Sequence, residues 1–308
     1  MAGRRLFGRK VEGKKMGSRA FRSLPFFCHS FCCPLSALLV AALACNSLAE
    51  VPGEQRRMEL LAQMRKLAEQ TSVQYASAQR HPQLLDNPVF RYDDQPRRFI
   101  DATLWAWTDG GRPVAFQKVE AKYHHTIGEP EWGYCFTVAT PELLAVAWQG
   151  DRRFRSTEAG IRFLELPAAP AIAEGSGRRR RQLRELARAF DATIIIDPRN
   201  NKTEVMRLLP TPLMEYSARE AEPLSGAVFG FATSGTNPDL LLLLEAREAD
   251  GKLQWQFAPV RMTNGGLIVS YQGVKVREIP WVDLNEPPFA TWTFFDTPRT
   301  PVAGEAAP

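Results

Sequence analysis

The chain has 308 residues, 44% of them apolar, with 39 Lys and Arg against 34 Asp and Glu for a formal net charge of +5. That length and apolar share suffice for a sizeable core and exclude a collagen-like or low-complexity chain. The positive balance is local: residues 1–49 hold eight Lys or Arg and one Glu, so the rest has 31 basic and 33 acidic residues, net −2. Charge therefore gives no argument for nucleic acid as a partner.

Residues 1–49 read as a leader for export. A basic start is followed by an apolar stretch from Leu35 to Leu43 and then by small residues, and Met16 is an alternative start. The apolar run is shorter than the roughly 20 residues a membrane span needs. Two cleavage points fit. One follows Ala49; the other follows Ala44 and leaves Cys45 first, where it would carry lipid and tether the protein to a membrane. Four of five cysteines, Cys28, Cys32, Cys33 and Cys45, lie in this segment. Only Cys135 is left beyond it, so an internal disulfide is excluded there and the core must hold the fold.

Beyond the leader the chain matches itself at offsets of 119 to 125 residues. QMRKLA (63–68) answers QLRELA (182–187), LLDNPVFRY (84–92) answers LLPTPLMEY (208–216), and LLAVAWQG (143–150) answers GLIVSYQG (266–273). This spacing predicts two domain-sized copies, 50–166 and 178–296, joined by an Ala/Pro/Gly linker at 167–177 and followed by a disordered tail at 297–308.

Each copy opens on a helix, predicted over 54–78 and 178–190 from the spacing of Leu61, Met64 and Ala68 and of Leu183, Leu186 and Phe190. The period then changes from helical to alternating. Trp105 and Trp107, and their counterparts Phe229 and Phe231, put aromatics on one strand face, which we expect to be core. Turns at 109–111 and 234–237 lead into strands over 114–122 and 239–247, the latter with five leucines, Leu240 to Leu244, that suit a strand covered on both faces. Third and fourth strands at 132–138 and 143–149, and at 253–262 and 267–272, predict antiparallel neighbours in a meander. The expected fold class is thus α+β: two tandem copies of a helix plus antiparallel β-meander, either as two similar domains or as one pseudo-symmetric domain.

The run Leu208 to Leu213 with Tyr216, followed by AVFGFATSGTNPDLLLLLEAR over 227–247, resembles a family of exported bacterial proteins of uncharacterised function. The resemblance implies export and supplies no activity, cofactor or catalytic residue. It also implies an acidic residue where Asn237 stands here.

Residues common to both copies, including Tyr92 and Tyr216, Glu120 and Glu245, and Trp132 and Trp255, are read as serving the shared fold. The Glu pair is expected to meet Lys122 and Arg247 or water. One-sided features are better site candidates. His124, His125, Glu129, Glu131 and Cys135 cluster in sequence in the first copy, with zinc-compatible side chains but without helical HExxH spacing, so a solvated loop is the competing reading. Cys28, His29, Cys32 and Cys33 fall in the leader and are not taken as a metal site. The loop Asp197 to Lys202 is read as a turn. No Gly-x-Ser-x-Gly elbow, phosphate loop or dinucleotide fingerprint occurs. The leading expectation is an exported, non-catalytic binding or structural protein with no cofactor and an unidentified extracytoplasmic partner. The alternatives are an exported hydrolase or metal enzyme using the His124/His125 loop, and a lipoprotein assembly factor tethered through Cys45.

Overall fold

The computed structural model describes residues 53–122, 130–217, 225–249, 251–285 and 289–297. The elements of the first half are α1 (Glu54–Glu69), β1 (Ser72–Tyr75), β2 (Gln83–Leu84), β3 (Phe90–Asp94), β4 (Phe99–Asp109), β5 (Arg112–Lys122), β6 (Glu131–Val138), β7 (Leu144–Ala147), β8 (Arg153–Arg155) and β9 (Leu164–Glu165). Those of the second are α2 (Ser176–Arg188), β10 (Phe190–Asp197), β11 (Lys202–Leu208), β12 (Met214–Tyr216), β13 (Ser225–Ala232), β14 (Leu240–Ala249), β15 (Lys252–Arg261), β16 (Gly266–Tyr271), β17 (Val274–Ile279) and β18 (Trp292–Asp296).

The expected α+β fold class is corrected by this inventory. The described residues form eighteen strands, two α-helices and one short 3-10 helix at Gln95–Arg97, so the protein is mostly β. Nor are the units tandem helix-plus-meander copies. β6 pairs with β5 and β18, whereas β7, the next strand in the chain, pairs with β1 and β8. In the second half β15 likewise pairs with β14 and β9, and β16 with β10 and β17. Alternation in a sequence identifies a strand without naming its partner, which is why the meander reading failed.

Two of these pairings cross between the halves. β9, at the end of the first half, joins the edge of β15, and β18, at the end of the second, joins the edge of β6. The halves differ in one connection. β10 and β11 form a hairpin across the Asp197 turn and fuse the second half into a nine-stranded sheet, whereas β2 has only two residues and the first half stays as six- and three-stranded sheets.

Alternation along the strands builds three apolar layers. On β4, Trp105 and Trp107 pack with Leu60, Met64 and Ala68 of α1. Leu104 and Ala106 point the other way and meet Val228, Leu241, Leu243 and Val260 of the second sheet. The third layer joins Phe229, Phe231, Leu240, Leu242 and Leu244 to Leu183, Leu186 and Ala187 of α2. The leucine run thus serves two layers from one strand, each residue fully buried; burying such a side chain contributes about 1.5–3 kcal/mol. The aromatic faces of β4 and β13 are core.

α1 ends at Glu69, nine residues before its predicted end. The segment after it, Ser72 to Tyr75, alternates exposed and buried residues and pairs with β7, with Val73 and Tyr75 inward. The linker is pinned to α2 by Gln182, whose Oε1 accepts from Ala173 N and whose Nε2 donates to Ala171 O, each at 2.8 Å. No described helix is long and apolar enough to cross a membrane.

Candidate functional site

A cavity of about 510 Å³ opens between the two sheets where β5 and β6 face the turns before β14 and β16. Its floor follows from strand period. On β5 the even positions point between the sheets, so Phe116 is followed on that face by Lys118 and Glu120. On β14 the corresponding face carries Leu241, Leu243 and Glu245. Lys118 therefore stands where the other strand has a leucine. It is 2% exposed.

Lys118 Nζ donates to Asn237 Oδ1 at 2.6 Å and is 3.4 Å from Met262 O. Both acceptors are neutral, and no carboxylate oxygen among the described residues lies within ion-pair distance of it. Buried charges are normally paired, because losing hydration without an ionic partner is costly. Beside it, the Tyr92 hydroxyl donates to Glu120 Oε1 at 2.7 Å. Burial pushes the Glu120 carboxyl up, against the Lys118 charge and the Tyr92 hydrogen bond, which pull it down.

The opposite wall is an ion pair that is already satisfied. Arg97 Nη1 and Nη2 grip Asp239 Oδ1 and Oδ2 at 2.7 and 3.0 Å, and Thr233 Oγ1 donates to Oδ2 at 2.7 Å. Burial works to raise Asp239, but the Arg97 hydrogen bonds and charge overcome it and hold the carboxyl below its usual value. Ser234 Oγ binds Asp94 at 3.0 Å. Apolar side chains complete the site, with Ile196 and Leu284 at the mouth 39% and 47% exposed and Glu204 exposed beside them.

At the corresponding place on β14 the carboxylate is instead paired with arginines. There the Tyr216 hydroxyl donates to Glu245 Oε1 at 2.7 Å, Arg112 Nε lies 2.9 Å from the same oxygen, and Arg247 Nη1 is 3.4 Å from Oε2. Both guanidinium groups lie over the Phe163 ring, at 5.0 and 4.4 Å. Gly226 lets Tyr216 approach: a Cβ at that position would lie 2.4 Å from the ring. The Glu pair was expected to meet Lys122, Arg247 or water. Both carboxylates are instead buried and bound by a tyrosine, with the Arg247 contact retained in one case.

The residues singled out from the sequence do not form a site among the described residues. His124, His125 and Glu129 lie outside them, as do Cys45 and the leader. Glu131 begins β6 and pairs in register with Lys122. Cys135 lies four residues further along the strand, about 13 Å away at strand rise, too far to share a metal ion with Glu131. No group of three His, Cys, Asp or Glu that could hold a metal occurs among the described residues. Cys135 does line the cavity, but as a buried thiol pushed up to about 12 by burial, with Trp292 Nε1 donating to its sulfur at 2.9 Å. A thiolate nucleophile is not available there at neutral pH. The loop at Asp197 is a turn, its carboxylate accepting from Arg199 N at 2.9 Å and Asn200 Nδ2 at 2.7 Å.

A scan against protein-family models, a search of curated proteins and a search of solved structures each found no match. The signal in the sequence was Lys118 on an otherwise inward strand face, which a reading by residue class and motif passed over.

Proposed function

We propose that this is a non-catalytic binding protein whose inter-sheet cavity takes a small amphiphile with a single acidic head group. The observation that carries the reading is Lys118: buried, hydrogen-bonded only to neutral oxygens, and facing a cavity. An anionic head supplies the contact ion pair the ammonium lacks, Glu120 and Asp239 acting on it only from beyond contact, and the apolar part lies along Ile196 and Leu284 toward the mouth. The leader-like residues 1–49 support a site of action outside the cytoplasm, and the resemblance to exported bacterial proteins points the same way.

Calorimetric titration with octanoate, octanol and octylamine tests this. Octanoate is expected to bind saturably, the alcohol at least about tenfold more weakly and the amine not at all, since a hydrogen bond to a charged group contributes about 1.5–3 kcal/mol. Lys118→Met should abolish the preference for the acid. Equal affinity for all three, or an acid preference that persists in K118M, would reject the proposal. Appearance of the protein in the cytoplasmic fraction with residues 1–49 intact would reject export.

A further inference from the structure

A second cavity of about 420 Å³ lies beside the C-terminal end of β15, where that strand faces β6. Its position follows from the partial cover of the β15 edge. β9 pairs with β15 only at Gln256 and Phe257, leaving the stretch from Pro259 to Arg261 without a strand partner on that side. Pro259 has no N–H to leave unpaired, as an edge position requires. The chain around Gly160 forms one wall. Gly160 N donates to Thr140 O at 2.9 Å, and a Cβ there would lie 2.2 Å from Val138 O, so only glycine allows this approach.

Two residues lining this cavity each carry a buried polar atom without a hydrogen-bond partner. Arg261 is 7% exposed; its Nη2 donates to Pro280 O, and its Nη1 has no hydrogen-bond partner. Thr137 is fully buried, and its Oγ1 also has none. Both residues line the cavity. Arg162 and Arg277 stand exposed at the rim, and Glu158, the one carboxylate among the described lining residues, is exposed and forms no ion pair with any of the three arginines.

We infer that this cavity is an oxyanion-binding site, in which a carboxylate or phosphoryl group accepts from Arg261 Nη1 and Thr137 Oγ1 while Arg162 and Arg277 screen its charge at the rim. With Nη2 committed to Pro280 O, Nη1 is the guanidinium nitrogen left to donate to an anion, and a hydroxyl lining the same cavity adds a neutral donor. Burial lowers the Arg261 guanidinium to about 10, and no carboxylate among the described residues pairs with it. The site is therefore short of a negative charge that a ligand would bring. It is separate from the Lys118 cavity, although Trp292 contributes to a wall of each.

Titration of the purified full chain with inorganic phosphate and, separately, with benzoate at fixed ionic strength tests the inference. At least one probe is expected to bind saturably. Arg261→Gln should weaken it about tenfold or more, as loss of a charged hydrogen bond does; Thr137→Val, close in shape, should weaken it less, and Lys118→Met should leave phosphate binding unchanged, with benzoate, an acid the Lys118 cavity would also take, read in the K118M background. Binding of phosphate alone assigns the site to phosphoryl groups, and binding of benzoate alone to carboxylates. No saturable binding of phosphate to wild type or of benzoate to K118M, unchanged affinity in both R261Q and T137V, or a loss of phosphate affinity in K118M equal to that in R261Q would overturn the inference. Should R261Q not fold, T137V decides: full wild-type affinity in that variant counts against the site.

Discussion

Lys118 Nζ lies 2.6 Å from Asn237 Oδ1, a contact that ties β5 of one sheet to the turn before β14 of the other. Because the acceptor is neutral, the contact orients the ammonium without cancelling its charge. Asn237→Asp would cancel it. The variant is expected to lose octanoate binding by about tenfold or more, an internal carboxylate replacing the ligand's. Asn237 also hydrogen-bonds Asp94, so the new acid meets a carboxylate as well as Lys118, and affinity is the readout that isolates the Lys118 effect. Undiminished octanoate affinity would show that the head group binds elsewhere.

Glu120 and Asp239 give opposite pH dependences. Glu120 is raised above its usual 4.5 when folded, chiefly by burial, so it holds a proton that the unfolded chain releases. Its contribution to stability is complete below about 4.5 and declines as pH rises through the folded value. Glu120→Gln should therefore resist denaturant better than wild type at pH 7, with the gap closing as pH falls to 4.5. Asp239 is held below its usual 3.8 mainly because the Arg97 hydrogen bonds and charge outweigh burial, so its contribution is present above 3.8 and lost as pH falls through the lower folded value. Asp239→Asn is expected to cost about 1–3 kcal/mol at pH 7 and progressively less in acid. Denaturant midpoints across pH 3 to 8, a range of about five units around these carboxylate values, check both signs.

The thiol of Cys135 should be silent in the native protein. It is 2% exposed and pushed up to about 12 by burial, so neither access nor ionisation favours reaction at neutral pH. Wild type and Cys135→Ser are expected to show the same number of fast-reacting thiols when folded, and to differ by one only in denaturant. A difference in the folded state would contradict the buried placement.

The exchange of β9 and β18 between the halves predicts mutual dependence. Residues 50–170 expressed alone lack β18 and the facing sheet, and residues 175–308 lack β9 and the other face of the same core layer. Each fragment would expose a strand edge and an apolar sheet face. Neither is expected to fold cooperatively by itself, while co-expression should recover a soluble complex. Two independently folded fragments, judged by cooperative denaturation, would contradict this.

The sequence by itself determined where strands run and which of their faces are apolar. Trp105 and Trp107, Phe229 and Phe231, and the run Leu240 to Leu244 are buried as their alternation and composition required, because side-chain direction in a strand is a local property. Turn chemistry at Asp197 was legible for the same reason. Only the tertiary structure decided which strands meet. That β6 takes β18 and β15 takes β9 depends on segments far apart in the chain, and it turned the expected α+β meanders into a mostly-β sandwich. The cavities belong to that second category. Lys118 and Asn237 are 119 residues apart, and Arg261 and Thr137 are 124 apart. No local pattern records that a buried cation at one of these positions will face a neutral partner or an empty space at the other.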